Sequence, residues 1–354
     1  MNAITAIKAG ELEDAVRFTG NWRDYAGIAF GNFALTLLTL GIFRFWAKAR
    51  ERRYLWANTT MLEGELEWSG TGSEMLVGFL FALPIFLPIL IVVAIGVPVA
   101  AANLPWYGIA AVAVAAYAIF YFFVSFARFR ALRYRLGRTW WHGIHGGGSG
   151  SGLGYAAKAI GWYAAAAVTL GILLPWAQSK LWNRRWQAMS FGSIPFDSAM
   201  TTHAVRLSWA AVWICFVAGN AVLTLITIPG IVVYGPGAPQ LVLPLLIYAA
   251  MGLAYLAYSA AFYRAAIDEL TYDELTFTFD ADFNDWLIFT FKTILLTIVT
   301  LGVAMLFYSY RKWVFFVSRL EVHGDLDLAL LKRSAAGGPR DAEGLADAFD
   351  IGAF

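Results

Sequence analysis

Two long stretches of the chain contain no charged side chain. They cover residues 75–127 and 207–263, and both are rich in apolar residues. A helix that spans a membrane needs about 20 consecutive apolar residues, so each stretch can hold two helices and a short turn. Proline and glycine cluster around residues 96–105 and 229–239, where the turns are therefore expected. The sequence predicts two transmembrane hairpins, with spans near 75–97, 106–127, 208–229 and 241–263.

Basic side chains stand at the open ends of both predicted hairpins. The two turns carry no charge, whereas the opposite helix ends adjoin arginines: Arg128, Arg130, Arg133, Arg135, Arg138, Arg206 and Arg264. Basic residues close to a span favour the cytoplasmic side of the membrane. We therefore predict that each hairpin enters from the cytoplasm and returns to it, with both chain termini cytoplasmic.

A Thr-Leu-Gly segment occurs three times outside the hairpins. The copies are Thr39-Leu40-Gly41, Thr169-Leu170-Gly171 and Thr300-Leu301-Gly302. Each copy lies within an apolar stretch of about 20 residues, near 26–46, 159–177 and 286–310, long enough to span. Basic residues follow each copy, and then a second glycine, at Gly64, Gly192 and Gly324. The shared order predicts an internal repeat, with repeat cores near residues 18–72, 155–200 and 279–328.

The three repeated apolar segments either span the membrane or enter it and turn back. If every copy spans once, successive copies point in opposite directions, and the basic residues of the second copy lie outside the cell. If each copy turns back at its candidate helix break, at Gly41, Gly171 or Gly302, all basic runs lie in the cytoplasm, as the charge bias favours. We favour the re-entrant arrangement, and the spanning arrangement stays open.

After each basic run the apolar residues alternate with polar ones, which is typical of half-buried strands. The clearest cases are residues 62–68 and 320–328, and shorter candidates are residues 193–196, 140–145 and 275–279. Strand edges left in lipid would keep unpaired backbone groups, so we expect these strands to pair in a small cytoplasmic sheet. The predicted fold class is a mainly α polytopic membrane protein with seven hydrophobic segments and short cytoplasmic β-strands. Residues 1–330 are predicted to form one membrane domain, and residues 331–354 a disordered tail.

Composition excludes an ordinary soluble domain and several kinds of site. Of the 354 residues, 60% are hydrophobic and 14% charged, against about 25% charged in a typical globular protein. The single Cys215 excludes an intramolecular disulfide and a cysteine-rich metal site. His142 and His145 would point to opposite faces of a strand, which does not suit metal ligation. No phosphate-binding glycine loop is present, and we predict neither a cofactor nor a metal.

The basic runs are candidate binding sites for anionic lipid headgroups, since each surface cation contributes about 1 kcal/mol to such binding. Their members are Lys48, Arg50, Arg52, Arg53, Lys180, Arg184, Arg185, Arg311 and Lys312. The alternative is that they only orient the chain by the positive-inside bias. Lys158 and Lys292 begin the apolar stretches of the second and third copies, and each either snorkels to the interface or faces a wet cavity. Interleaved tryptophans indicate a membrane surface rather than a nucleic-acid site.

Several short motifs carry a resemblance to a known family. They are Phe18-Thr19-Gly20, Asn32, residues 37–43, Trp46-Ala47-Lys48, Arg52-Arg53-Tyr54, Asn58-Thr59 and Leu62-Glu63-Gly64. In these positions the chain resembles the YjgN-type bacterial inner-membrane family, a family of unknown function, with the densest match over residues 18–72. The resemblance implies a multi-pass protein of the bacterial inner membrane. It implies no catalytic residue.

The predicted function is uncoupled passage of a small solute or lipid through a transporter-like or channel-like protein. The four spans contain no ionisable side chain, and coupled pumps normally carry one there. A membrane scaffold, or a protein that binds anionic lipid, is the alternative. A membrane enzyme is the least supported class, because no pair of nucleophile and base stands out. Membrane lipids are the expected partners, and the sequence does not determine the oligomeric state.

Overall fold

The computed structural model describes residues 7–8, 15–227, 229–230 and 237–326. Its helices are α1 (Trp22–Leu38), α2 (Arg44–Ala57), α3 (Gly72–Ile91), α4 (Val97–Asn103), α5 (Trp106–Arg138), α6 (Gly152–Val168), α7 (Leu174–Gln187), α8 (Arg206–Val222), α9 (Ala238–Asp268), α10 (Phe283–Val299) and α11 (Tyr308–Val317). Its strands are β1 (Ile7–Lys8), β2 (Val16–Phe18), β3 (Thr59–Met61), β4 (Gly64–Trp68), β5 (Thr139–Trp141), β6 (Ile144–Gly148), β7 (Met189–Phe191), β8 (Ile194–Ser198), β9 (Leu270–Tyr272), β10 (Leu275–Phe279), β11 (Leu320–His323) and β12 (Asp325–Leu326). The predicted disordered tail lies outside the described residues.

The strands form a nearly closed ring. Strands β2 to β11 make one antiparallel sheet of ten strands in which every strand pairs with its neighbour in the chain. The two edge strands, β2 and β11, lie against each other. Beyond them, β1 pairs with β12, with Ile7 opposite Leu326 and Lys8 opposite Asp325. We refer to β1–β12 together as the strand ring.

Helical excursions connect the strands, and each one ends beside the point where it began. Five backbone hydrogen bonds close them at the base: Thr19 N–H to Asn58 O, Ser69 N–H to Arg138 O, Ser149 N–H to Ala188 O, Ala199 N–H to Glu269 O, and Asp280 N–H to Arg319 O, with lengths of 2.7–3.1 Å. Because both ends of an excursion join neighbouring strands, the whole helical part grows from the ring and returns to it.

The predicted β-sheet was too small. The predicted strands do pair with each other, but as part of a ten-stranded ring rather than a small sheet. Strands β2, β3, β7 and β9 were not predicted, because segments of three residues are too short to show alternation. Tight turns made by left-handed residues complete the hairpins, as at Leu62-Glu63 (φ 47° and 65°) and His142-Gly143 (φ 49° and 73°).

Two of the excursions are long and contain the predicted transmembrane hairpins. Among the described residues, three helical stretches are by length and composition long and apolar enough to cross a membrane: Trp106–Arg138, His203–Ile226 and Val242–Asp268. They correspond to three of the four predicted spans. The fourth predicted span, residues 75–97, is helical in the structure and consists of most of α3 and a π-helical turn at Val92–Gly96. Several side chains in this stretch are not described.

The three Thr-Leu-Gly segments end helices of equal length and share one geometry. Helices α1, α6 and α10 each contain 17 residues. At about 1.5 Å per residue, each is roughly 25 Å long. In every copy the threonine hydroxyl donates to the carbonyl four residues earlier, and the leucine and glycine that follow are left-handed. The chain therefore reverses at each copy and returns through α2, α7 or α11.

The glycine of each reversal has a backbone conformation that side chains disfavour. The φ angles of Gly41, Gly171 and Gly302 are 92°, 88° and 94°. No atom lies within 4 Å of the position that a Cβ would take at Gly41 or Gly302. A substitution there would therefore act through backbone strain and not through a steric clash.

We expect Gly41→Ala and Gly302→Ala each to lower the free energy of unfolding by about 1–2 kcal/mol, the cost of a left-handed L-residue. Gly31→Ala is the matched control, because Gly31 lies inside α1 and also has open space around it. That change should stabilise the protein by about 0.5–1 kcal/mol. Thermal unfolding in nanodiscs measures both, and equal shifts for the two kinds of variant would contradict the assignment.

Candidate functional site

The strand ring encloses an apolar cavity of about 250 Å³, here called the ring cavity. Nine of the twelve strands contribute to its wall, with residues that include Val16, Met61, Leu66, Trp141, Phe191, Phe196, Leu270, Phe277 and Leu320. Helices α5, α7, α9 and α11 complete the lining with Leu136, Trp182, Trp186, Ile267, Trp313, Phe316 and Val317. The surface that the cavity exposes is entirely apolar.

Polar atoms of the lining residues are turned away from the ring cavity. The hydroxyl of Tyr272 donates to Phe191 O at 2.8 Å, and the indole N–H of Trp141 donates to Met61 O at 2.8 Å. Thr59 and Thr139 accept hydrogen bonds from two indoles, those of Trp313 and Trp56, both at 2.9 Å. These four polar side chains are satisfied within the wall, whereas the indole N–H groups of Trp182 and Trp186, which also line the cavity, have no acceptor among the described residues.

A second cavity of about 160 Å³ adjoins the ring cavity and is lined by two arginines. We name it the arginine cavity; its wall is formed by Trp56, Leu66, Leu132, Arg135, Leu136, Thr139, Trp182, Arg185, Trp186 and Trp313. Six of these residues also line the ring cavity. The two spaces are therefore neighbours that share walls; the surface of the second is also mostly apolar, but two arginines are among its lining residues.

A third cavity of about 110 Å³ shares Trp56, Arg135 and Trp313 with the arginine cavity. It adds ionisable side chains from two return helices, Lys48, Glu51 and Arg52 of α2 and Lys312 of α11. The ammonium of Lys48 lies 3.5 Å from the Glu51 carboxylate and 3.4 Å from the hydroxyl of Ser309. The charged region is therefore part of the contact between the first and third helical reversals.

Arg185 is the most unusual charge in this region. Arg185 is 8% exposed, and its guanidinium carbon lies 5.3 Å from the ring centre of Trp182. Within the described chain it makes neither a hydrogen bond nor an ion pair, and its Nε is buried without a partner. Removal from water lowers the pKa of Arg185, although a guanidinium stays charged at neutral pH. A buried cation without a counter-ion destabilises the fold unless something else binds it.

The predicted headgroup residues divide into an inward and an outward set. Lys48, Arg52, Arg185 and Lys312 line the cavities, whereas Arg50, Arg53, Lys180 and Arg184 are exposed. Arg311 lies over the ring of Phe289, with 5.6 Å between the guanidinium carbon and the ring centre. The structure therefore separates residues that the sequence analysis treated as one class.

The candidate intramembrane lysines do not join the cavities. Lys158 of α6 and Lys292 of α10 both lie on the exposed surface of their helices. His142 is exposed at a β-turn, and the Nδ1 of His145 lies 2.7 Å from Gly146 O. In the part of the chain that the structure describes, no cluster of three or more His, Cys, Asp or Glu could hold a metal ion.

Arg135 and the cavity tryptophans were missed as functional residues. Arg135 belongs to the arginines of α5 that were assigned only to orientation, yet it lines the arginine cavity. A signal for Arg185 was present in the sequence, because Leu181 and Trp182 precede it by four and three residues. That spacing places all three on one helix face, which is buried in α7.

Comparisons with known proteins support the resemblance seen in the sequence. A family model described as a bacterial protein of unknown function (DUF898) matches residues 13–348. A curated protein, "Inner membrane protein YjgN" of Salmonella typhimurium strain LT2, is 32% identical over 98 residues. The match covers 28% of this chain and only 25% of that relative. No solved structure matches the chain.

We expect Arg185→Met to raise the free energy of unfolding by about 1–4 kcal/mol, because an apolar side chain of similar size removes a buried charge. The adjacent, exposed Arg184→Met is the control and should change stability by less than about 0.5 kcal/mol. Thermal unfolding of the three proteins in the same nanodiscs provides the measurement. Clear destabilisation by Arg185→Met would show that the guanidinium holds the fold together and is not reserved for a ligand.

Proposed function

The chain belongs to the DUF898 family of bacterial proteins of unknown function, and from this premise we propose an inner-membrane protein that holds apolar chains and passes them without ion coupling. The ring cavity is the observation that carries the proposal. Ligand sites are concave and mostly apolar, and this cavity has both properties at the meeting point of strands and helices.

Membrane insertion is supported by the helices that leave the ring. Only 6% of the most apolar window in each of the three long helices is buried within the protein. Apolar helices with such exposed surfaces need lipid around them. The name of the Salmonella relative, an inner membrane protein, agrees with this placement.

The ring gives the proposed orientation. Strands β2–β11 form one sheet, which supports placing all of them on one side of the membrane, with the helices entering the bilayer from that side. Arginines concentrate at the ring end of α5, where Arg130, Arg133, Arg135 and Arg138 lie. The positive-inside bias then places the ring in the cytoplasm.

The three Thr-Leu-Gly reversals are proposed to enter the membrane part of the way. In the second copy the indole N–H groups of Trp209 and Trp213 donate to Gly171 O and Leu170 O. Trp213 is seven residues into α8, about 10 Å from its start, whereas a full crossing needs about 30 Å. The exposure of Leu40, Leu170 and Leu301 is 94%, 74% and 95%, which suits leucines that contact hydrocarbon. The equal helix lengths and caps support an internal repeat as well.

Absence of coupling is inferred from the apolar spans. Residues 106–127 and 207–263 contain no Asp, Glu, Lys or Arg. Pumps that use a proton or ion gradient place ionisable groups within the membrane, so we propose passage down a concentration gradient.

Binding of anionic lipid at the ring surface is the second candidate. Arg50, Arg53, Lys180 and Arg184 are exposed on the return helices α2 and α7, close to the ring. Such cations attract anionic headgroups whether or not a chain enters the cavity. On this alternative the protein is a membrane scaffold, and the cavity has no part in its function.

Lipid movement in proteoliposomes tests the proposed function. We expect the protein to accelerate exchange of a fluorescent single-chain lipid between leaflets, at a rate that collapse of the proton gradient does not alter. Val16→Trp fills the ring cavity and should reduce the rate at least tenfold, whereas Val114→Trp, on the exposed surface of α5, should not. Equal rates with and without protein would contradict transport, and binding of anionic vesicles without exchange would favour the scaffold.

A further inference from the structure

The ring cavity and the arginine cavity together have the shape of a site for one amphiphilic molecule. Leu66, Trp182 and Trp186 form walls of both spaces. On one side of these walls the exposed surface is entirely apolar, and on the other two arginine side chains are present. A ligand that fills both must combine an apolar chain with a polar end.

The polar end must be an acceptor of hydrogen bonds. Arg185 is more than nine-tenths buried, lines the arginine cavity, and has no hydrogen bond or ion pair to any described residue. The indole N–H groups of Trp182, one turn before Arg185, and of Trp186, the next residue, are buried and also without acceptors among the described residues. These three residues are all donors, and a carboxylate or phosphate group has only acceptors to offer at neutral pH.

The charge of the arginine cavity selects an anion. Its lining contains two arginines and neither aspartate nor glutamate. Hydrogen bonds between a guanidinium and an oxyanion are short and about twice as strong as neutral ones, and burial strengthens them further. A zwitterion would bring its own cation next to Arg135 and Arg185, where repulsion disfavours it.

The size of the two cavities selects a small ligand. Sites for drug-sized molecules usually measure about 300–1,000 Å³. The ring cavity, at about 250 Å³, has room for a single chain rather than for the two chains of a phospholipid. The arginine cavity, at about 160 Å³, suits a compact headgroup.

We propose that these cavities bind a single-chain anionic amphiphile, with its carboxylate or phosphate on Arg185 and its alkyl chain in the strand ring. This proposal rests on the proposed function, because it uses the same ring cavity, and it adds the chemical class of the ligand. The shared chemistry of the ligand is one oxyanion on one chain. Its source is a free long-chain acid or a monoacyl phosphate.

Quenching of tryptophan fluorescence by a matched pair of brominated ligands tests the proposal. 11-Bromoundecanoate and 11-bromoundecanol have the same chain and differ in the charge of the headgroup, and their bromine should reach Trp141 in the ring cavity. Purified full-length protein is used in nanodiscs of zwitterionic lipid. Val16→Trp, in which the cavity is filled, supplies the background from ligand dissolved in the bilayer.

We expect the acid to bind wild-type protein at least tenfold more tightly than the alcohol. Arg185→Met should lower the affinity for the acid to that for the alcohol and leave the affinity for the alcohol unchanged. Arg264→Met, at an exposed position near the end of α9, should change neither affinity. Arg185→Lys, which keeps the charge, should retain part of the preference for the acid. If Arg185→Met fails to fold, the proposal is tested by Arg185→Lys and by the ratio of the two affinities in wild-type protein. Competition with dodecyl phosphate and with laurate then distinguishes a monoacyl phosphate from a free acid as the source.

The outcomes separate this inference from the proposed function. If neither ligand quenches above the Val16→Trp background, the ring cavity binds no chain and the proposed function fails with the inference. If acid and alcohol bind equally, and Arg185→Met changes nothing, the cavity function stands and the anion site is wrong. A preference for the acid that survives in Arg185→Met would also overturn the assignment of Arg185.

Discussion

The structure depends on the pairing of strands β2–β11 with the strands next to them in the chain. When two paired strands are joined by helices, those helices must leave the sheet and return to it at the same place. The five basal hydrogen bonds, from Thr19–Asn58 to Asp280–Arg319, are the local form of this constraint. Unpaired strand edges are costly beside a membrane, and the contact between β2 and β11, with the pairing of β1 and β12 beyond them, covers these edges in part.

The closed ring has consequences for the interior. The side chains that face the inside of this ring do not fill its centre, and they leave the apolar ring cavity. The helices that return to the ring bring their basic ends to its rim, where Arg135 and Arg185 become buried beside tryptophans. A cavity with an apolar surface therefore lies directly beside one whose lining includes two arginines.

The sequence allowed the helical part to be predicted and concealed the ring. Stretches without charge identify the long helices, and the glycines of the Thr-Leu-Gly segments coincide with left-handed residues at helix ends. Strands such as β3 and β5 have three residues each and carry no measurable period, so only their partners define them. Closure by β1 and β12 joins residues more than 300 positions apart, which no local pattern reveals. At the candidate site, the sequence alone identified the basic residues. Which of them are buried and which are exposed depends on how the helices pack, and the sequence does not reveal this.

The side of the membrane on which the β-turns lie tests the central claim most directly. Cysteines are placed one at a time at five exposed positions, in a Cys215→Ser background, and labelled with an impermeant maleimide. Four are the turn residues Glu63, His142, Ser193 and Asp273, and the fifth is His323, the last residue of β11. Our account predicts that all five react in inside-out vesicles and none in right-side-out vesicles. If each Thr-Leu-Gly segment instead crosses the membrane, positions 63, 142 and 323 label from one side and positions 193 and 273 from the other. That result would contradict the strand ring.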